Sequence, residues 1–356
     1  AGGGGIGMRV VRAGEDARAA IQAARRDALH AFGDGTLYVE RLIEKPRHVE
    51  IQVLADHHGA VVHLFERECS VQRRHQKIVE ESPSPLLTPA LRARMTEAAV
   101  RAARAAGYVN AGTIEFLVDG SSFYFLEMNT RLQVEHPVTE ATTGLDLVRA
   151  QLLVAAGDPL PFSVDTIALQ GHAIELRVYA EDPAAGFLPQ AGPLLVYREP
   201  HGPGVRVDSG VGEGDTVSVH YDPLLAKLIV HAESRPAALA RAARALREFA
   251  VLGIATNLPL LRALVEHPLV RDGQPDTGLL ERELPTLLAA AEPSELDPAA
   301  AAVAVHRLLS NTAASTAAGA RALPDPWTTL RGWRIGGDDR EDDREKARPA
   351  PEVQTR

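Results

Sequence analysis

The hydrophobic pattern changes period several times along the chain, and each change predicts an element. Met8–Val11 reads as a short strand after a glycine-rich turn, and residues 15–31 hold Ala, Arg and Gln without Pro or Gly, which predicts a helix. Tyr38–Ile43, Val49–Leu54 and Val61–Phe65 are β-like, the last after a turn at His57-His58-Gly59. Pro89–Ala106 predicts a helix stopped by Gly107. Thr113–Val118 and Phe123–Asn129 flank Asp119-Gly120-Ser121-Ser122, a strong hairpin signal. Asp146–Ala156 is helical and ends at Gly157, and Pro159 and Pro161 then set a boundary near 158–170. Residues 171–232 are strand-rich, and helices follow at Arg235–Ala250 and Leu258–Glu266. Beyond about residue 288 the chain turns Ala-rich and weakly patterned. Residues 338–356, with seven acids, five bases and two prolines, read as a disordered tail.

Composition narrows the function classes. The 356 residues carry 47 acidic and 38 basic side chains, a formal net charge of −9. That balance argues against a nucleic-acid partner held by phosphate contacts. The 16 aromatic residues (8 Phe, 6 Tyr, 2 Trp) are too few for a base-stacking platform. The single cysteine, Cys69, excludes an internal disulfide framework and a multi-cysteine zinc site, and fits the reducing cytoplasm. No apolar run approaches the roughly 18–20 residues of a membrane span. The length suits two or three domains. Residue 1 is not Met and the chain opens inside a glycine run, so the natural N-terminus is expected further upstream. Only four basic residues are lysine: Lys45, Lys77, Lys227 and Lys346. A lysine kept in an arginine-rich chain invites a chemical reason.

Three segments carry candidate chemistry. Gly2–Gly7 formally fits GxGxxG, but a strand rather than a helix follows it, so it reads as a flexible lid over a nucleotide or as a terminal linker. Arg73-Arg74-His75-Gln76-Lys77 concentrates positive charge in a negative chain, either as a solvated strand or as an anion clamp with Lys77 as its point charge. Glu127, Asn129, Arg131, Gln133 and Glu135 occupy every second position, which in one extended strand would put all five on one face. Glu115 falls opposite Glu127 to within about one residue, counted from the centre of the turn, and two carboxylates with an amide suit a hard cation such as magnesium. Phe123 and Phe125 are expected on that same face, pointing inward. Glu135 would stand close to Arg131, which would bind an anion while Glu135 takes its proton. His48 and His75 could touch a nucleotide, and His136, before Pro137, reads as structural. Cys69 reads as a small packed side chain. On spacing alone, Arg177 pairs with Glu175 or Glu181 on a surface.

Together, Gly2–Val11, Arg47–Val53, Glu68–Glu81, Glu127–Glu140, Gly171–Pro183 and Tyr221–Leu228 resemble the biotin carboxylase component of biotin-dependent acyl-CoA carboxylase α subunits, an ATP-grasp family. The resemblance runs from residue 1 to about 288. It implies an α+β fold: an ATP-grasp domain over 1–165, incomplete at its N-terminus, then the biotin carboxylase C-terminal domain over 171–288. A linker would start at 289–337. Gly4 and Gly5 would belong to the loop over the ATP phosphates. Glu40, Arg41, Leu42 and Ile43 resemble the adenine hinge, and His48, Gln72, His75 and Leu117 the other ATP contacts. Glu115, Glu127 and Asn129 resemble the ligands of magnesium or manganese. Lys77, Arg131, Gln133 and the backbone of Val134 resemble the bicarbonate site, Glu135 the base, Arg131 the catalytic arginine, and Arg177 the residue that holds the enolate form of biotin.

The resemblance implies carboxylation of biotin through carboxyphosphate, the first half-reaction of an acyl-CoA carboxylase. The alternatives are a catalytically silent fragment keeping only subunit contacts, or another ATP-grasp carboxylate ligase. Three departures stand out. The upstream domain and two ATP lysines of the family are not seen, Ile6 stands where a basic residue is usual, and no Met-Lys-Met biotinylation site exists. Biotin would therefore come from a carrier domain or another chain, and this polypeptide alone is expected to be nearly inactive. A carboxyltransferase subunit and a homodimer of biotin carboxylase domains are the other implied partners, with neither nucleic acid nor membrane.

Overall fold

The polar and apolar alternation of the strands decides the architecture, because both faces of one long sheet are covered. The computed structural model describes residues 7–163 and 166–291, all within one unit spanning residues 1–292. Gly4, Gly5, the linker beyond 291 and the tail 338–356 lie outside the described residues.

The strands are β1 (Arg47–Ala55), β2 (Val61–Arg73), β3 (Gln76–Ser82), β4 (Asn110–Asp119), β5 (Ser122–Asn129), β6 (His172–Tyr179), β7 (Glu181–Asp182), β8 (Leu188–Pro189), β9 (Gly192–Pro193), β10 (Val196–Arg198), β11 (Val205–Ser209), β12 (Thr216–Val217), β13 (Leu224–Ala232) and β14 (Ala250–Leu252). The helices are α1 (Ala17–Phe32), α2 (Pro89–Ala105), α3 (His136–Thr143), α4 (Leu147–Ala155), α5 (Arg235–Glu248), α6 (Leu258–Glu266), α7 (Pro268–Arg271) and α8 (Leu279–Ala291). Eight strands form one antiparallel sheet in the order β11-β13-β6-β3-β2-β1-β4-β5. The boundary near 158–170 therefore divides the sequence but not the sheet: β3 pairs directly with β6, Val79 opposite Leu176.

One face is oily. Thr88 caps α2 by accepting the Leu91 N–H, Pro89 sits in the first turn, and Leu91, Met95, Ala99 and Ala103 recur every four residues. They bury Val49, Ile51 and Val53 of β1 and Ile114, Phe116 and Val118 of β4. Further along the sheet, α5, α6 and α8 cover Leu176, Val178, Leu228 and Val230. The other face is polar, and α3 packs over its middle against β6, β2, β3 and β13.

Two predicted strands are not formed. Met8–Val11 and Tyr38–Ile43 have no regular structure, and Met8, Val10, Tyr38 and Val39 are exposed. Among the described residues no strand pairs with them, and β propensity without a ladder partner does not hold a strand. The hairpin is as expected: Asp119 pairs with Ser122 around Gly120-Ser121, with Gly120 at φ +57°.

Candidate active site

The polar face begins in β1, where His48, Glu50 and Gln52 alternate with Val49, Ile51 and Val53, and all six are buried. Opposite them on β4 stand Leu117, Glu115 and Thr113. Arg67 of β2 pairs with Glu50 in register and is fully buried. Its five N–H groups are all used: Nε donates to Glu50 at 2.6 Å, Nη1 to Gln52 at 2.6 Å and Thr139 at 3.1 Å, Nη2 to Thr113 at 3.1 Å and Gln133 at 3.0 Å. Arg67 thus fastens β1, β4, α3 and the loop before α3 to one point.

Lys77 sits at the centre. Its Nζ donates to Glu50 at 2.6 Å, Glu115 at 2.9 Å and Glu135 at 2.6 Å. Burial opposes its charge, but Glu50, Cys69, Glu135 and Glu115 outweigh burial and hold the ammonium pKa well above its ordinary value. Burial likewise works against Glu50, yet Lys77 and Arg67 bring its pKa down to about 2. Glu115 is held below the usual carboxylate range against burial, by His48 and Lys77. Glu135 is gripped from both sides: Lys77 at one oxygen, and Arg177 Nη2 at the other at 2.8 Å. Arg177 Nε donates to Glu80 at 2.5 Å. A beneficial irregularity brings these groups together: Ile78 is an extra residue between the pairs Gln72–Lys77 and Val71–Val79, so Lys77 joins the face of Glu80 instead of following Val79.

Several expected placements are corrected. The strand ends at Asn129, so Arg131, Gln133 and Glu135 are not on one strand face with Glu127. Gln133 and Glu135 still reach the polar centre through the loop into α3: Gln133 Nε2 donates to Glu115 at 2.8 Å. Arg131 does not meet Glu135. It is exposed, and among the described residues its guanidinium bonds only the Leu132 carbonyl, at 3.2 Å. Phe123 and Phe125 lie on the opposite face from Glu127, because Leu126 is an extra residue between the pairs Glu115–Glu127 and Phe116–Phe125. Both rings meet Phe116 edge-on, while Phe125 remains 59% exposed. The basic run Arg73–Lys77 is not one cluster. A two-residue turn, Arg74 and His75 at φ +48° and +70°, leaves both exposed, and Arg73 stacks on Phe187 with its Cζ 3.9 Å from the ring centroid. Arg177 pairs with neither Glu175 nor Glu181.

The remaining candidates divide between the cluster and its rim. His48 Nε2 lies 2.9 Å from Glu115, and Gln72 Nε2 lies 3.2 Å from His48 Nδ1. Glu40, Arg41 and Leu42 are exposed and Ile43 is buried. The Val134 carbonyl accepts from Lys227 at 2.9 Å. Cys69 is buried, and burial, with Glu50 beside it, pushes its thiol well up, as suits a packed side chain. Glu50, Arg67 and Glu80 join the cluster without a role expected from sequence, whereas Glu175 is expected only as a surface partner of Arg177 and Lys227 only as one of four lysines. The alternation His48-Val49-Glu50-Ile51-Gln52-Val53 was the available signal for Glu50, and the scarcity of lysine was the signal for Lys227.

A cation fits one edge of this cluster. Glu115 and Glu127 are cross-strand partners, and Asn129 Nδ2 donates to Glu115 at 2.9 Å and to Glu127 at 3.3 Å. Turned about its last bond, Asn129 offers Oδ1 at the same place, completing a set of hard oxygen donors. His48, Glu50 and Glu115 also group their ligand atoms within 4.8 Å, but Lys77 and Arg67 already neutralise Glu50.

Residues 1–163 match the family model described as carbamoyl-phosphate synthase L chain, ATP binding domain, and residues 175–282 match the biotin carboxylase C-terminal domain. The chain belongs to the biotin carboxylase family. The biotin carboxylase of Halalkalibacterium halodurans is 52% identical over 285 residues, covering 80% of this chain and 63% of that protein. The mitochondrial methylcrotonoyl-CoA carboxylase subunit alpha of Rattus norvegicus is 50% identical over 289 residues, covering 81% of this chain and 40% of the relative. A crystal structure of the biotin carboxylase domain dimer of Hydrogenobacter thermophilus 2-oxoglutarate carboxylase, in complex with MgADP, ADP and bicarbonate, superposes with a TM-score of 0.78 at 43% identity, covering 83% of this chain and 64% of that one. The chain thus spans between about two fifths and two thirds of these biotin carboxylases and carboxylase subunits. Among the described residues no helix is long and apolar enough to cross a membrane.

Proposed function

We propose that this chain carries the ATP- and bicarbonate-dependent carboxylation of biotin, with 1–165 as the ATP-grasp module and 171–288 as the C-terminal module. The observation that carries the reading is Glu135 held between Lys77 and Arg177, one oxygen to each. A carboxylate placed between two fixed cations can take a proton from a small acid while the cations hold the anion that results.

In this reading Glu135 takes the proton of bicarbonate, and Lys77, Gln133 and the Val134 backbone orient the anion for attack on the γ-phosphate of ATP, with Arg131 closing over it. ADP leaves, and the carboxyphosphate so formed breaks to carbon dioxide and phosphate. Phosphate then takes the ureido proton of biotin, and Arg177 holds the oxyanion while the ureido nitrogen adds to carbon dioxide. Gly4, Gly5, the segment Glu40–Ile43, His48, Gln72, His75 and Leu117 would contact ATP. Glu115, Glu127 and Asn129 would hold magnesium or manganese, which when bound supplies charge neutralisation at the phosphates.

The partners follow from the chemistry. Biotin comes on a carrier domain, a carboxyltransferase takes the carboxyl group onward to an acyl-CoA, and the domain pairs with a second copy, as the Hydrogenobacter domain does. The cytoplasm is the proposed compartment, supported by the free Cys69 thiol, although the rat relative is mitochondrial.

The test is bicarbonate- and biotin-dependent ADP release, read together with Arg177→Ala. Loss of an oxyanion stabiliser typically costs about 10²–10³ in rate, so biotin carboxylation should fall by that much while biotin-independent ATP hydrolysis falls less. Equal loss of both rates refutes the role of Arg177, and bicarbonate-independent turnover refutes the reaction.

A further inference from the structure

Glu175 is the least satisfied group on the polar face. It is fully buried in β6, and neither of its carboxylate oxygens has a hydrogen-bond partner. Its cross-strand partner is Glu80 of β3, also fully buried, whose Oε1 takes the Arg177 Nε–H and whose Oε2 has no partner. Residues opposite one another in an antiparallel ladder share a face and approach closely.

The charges around this pair are Arg177 of β6, Lys227 of β13, Glu135 of the loop and Lys77 of β3. On α3, which lies over β6, His136 and Glu140 stand 3.2 Å from one another. The cations are already engaged. Arg177 serves Glu80 and Glu135, Lys77 serves Glu50, Glu115 and Glu135, and Lys227 donates to the Val134 carbonyl and lies 3.5 Å from Asp208. Glu175 therefore has a carboxylate neighbour and no cation of its own. Two like charges side by side in a dry interior do not both ionise. Burial, with Glu80 beside it, pushes the Glu175 carboxyl well up; burial also raises Glu80, to about 7, although Arg177 pulls it down. A proton would supply the missing donor, and Glu80 Oε2 is an acceptor with nothing else to accept.

We propose that Glu80 and Glu175 hold one proton between them at neutral pH, and that this makes them the positioning pair behind Arg177. With the proton present, the pair presents one negative charge to Arg177, which keeps enough positive field to hold an anion on its other side. Without it, a second negative charge is added within the same dry pocket and anion binding weakens. That this anion is the ureido oxyanion rests on the proposed carboxylation.

Infrared spectroscopy of the wild-type chain decides the proton directly. A protonated-carboxyl stretch at pH 7 that fades at alkaline pH and is missing in Glu175→Gln is the expected result, and its absence from the wild type at pH 7 overturns the proposal. Because the wild-type spectrum alone can refute it, a poorly folding variant does not protect the idea. The positioning role is read from the KM for biotin in bicarbonate-dependent ADP release, because Arg177 is the residue assigned to the ureido oxyanion. In the wild type it should rise up to about tenfold per pH unit above the midpoint of the pair, and in Glu175→Gln that rise should vanish. The same rise in both chains overturns the positioning role. No turnover by either chain is the low activity expected of this polypeptide alone, and the infrared band then decides the proton on its own.

Discussion

The two faces of the central sheet are made by the same strands and are equally dry, yet they do opposite work. In β1, Val49, Ile51 and Val53 face α2 while Glu50 and Gln52 face the polar cluster, and all five have no solvent exposure. Burial of the first set stabilises the fold, at roughly 25 cal/mol for each Å² of apolar surface removed from water. Burial of the second set opposes folding, and only dense pairing offsets it: Arg67 uses all five donors and Lys77 all three. The lesson is that the polar face is all-or-none. An apolar face loses stability in proportion to what is removed, whereas a charge network loses it when any one member leaves the others unpaired.

The sharpest way to break the comparison is Lys77→Met. It removes the one cation that Glu50, Glu115 and Glu135 share and leaves them buried close together, so urea unfolding should show a loss of about 3–5 kcal/mol, with ADP release abolished. A loss below about 1 kcal/mol would mean that the carboxylates find other partners and that the network is not cooperative. The next effect comes from acid. Glu50 has a folded pKa of about 2 against an ordinary 4.5, so its contribution is full above 4.5 and is lost as the pH falls towards 2. That difference is on the order of 3 kcal/mol. Unfolding curves at pH 6 and pH 2.5 should show it in the wild type, and Glu50→Gln should show a shallower loss over the same interval.

These effects also explain what was legible in the sequence. The helices α2, α5 and α6 and the β4–β5 hairpin were readable because local signals, Thr88-Pro89 before α2 and Asp119-Gly120 in the hairpin, are sufficient to place them. Counting out from that turn places Glu115 opposite Leu126, within one residue of Glu127, and the extra residue Leu126 completes the pairing. What escaped was set by non-local packing. The extra residues Ile78 and Leu126 switch which side chains share a face, and no propensity announces a bulge. Arg67, Glu80 and Glu175 do not stand out because charged residues in strands, such as Glu66-Arg67-Glu68 and Glu80-Glu81, ordinarily read as solvated. The alternation that exposed Glu127 and Asn129 was equally present at His48, Glu50 and Gln52, where it held through the whole strand.

A smaller effect sharpens the apolar side. Ile51→Val removes one methyl group beneath α2 and should cost about 0.5–1.5 kcal/mol in urea unfolding. The KM for bicarbonate should stay unchanged, because the methyl points away from Glu50 and Lys77. A shifted KM would show that the two faces are mechanically coupled through β1 and would undo the separation drawn above.

The smallest structural effect belongs to Arg131, and it is the most discriminating. Its exposed guanidinium bonds only the neighbouring Leu132 carbonyl, so Arg131→Ala should change stability by less than about 0.5 kcal/mol. If Arg131 closes over bicarbonate during the reaction, the same substitution should nevertheless remove most of the bicarbonate-dependent ADP release. A residue with no structural duty and a large kinetic one marks the reacting edge of the cluster, unlike Lys77, which holds Glu50, Glu115 and Glu135 in the fold in addition to its proposed place at the anion. If instead Arg131→Ala leaves turnover intact, the working anion site lies wholly within the buried pairs, and Arg177 becomes the cation left to exchange Glu135 for a ligand.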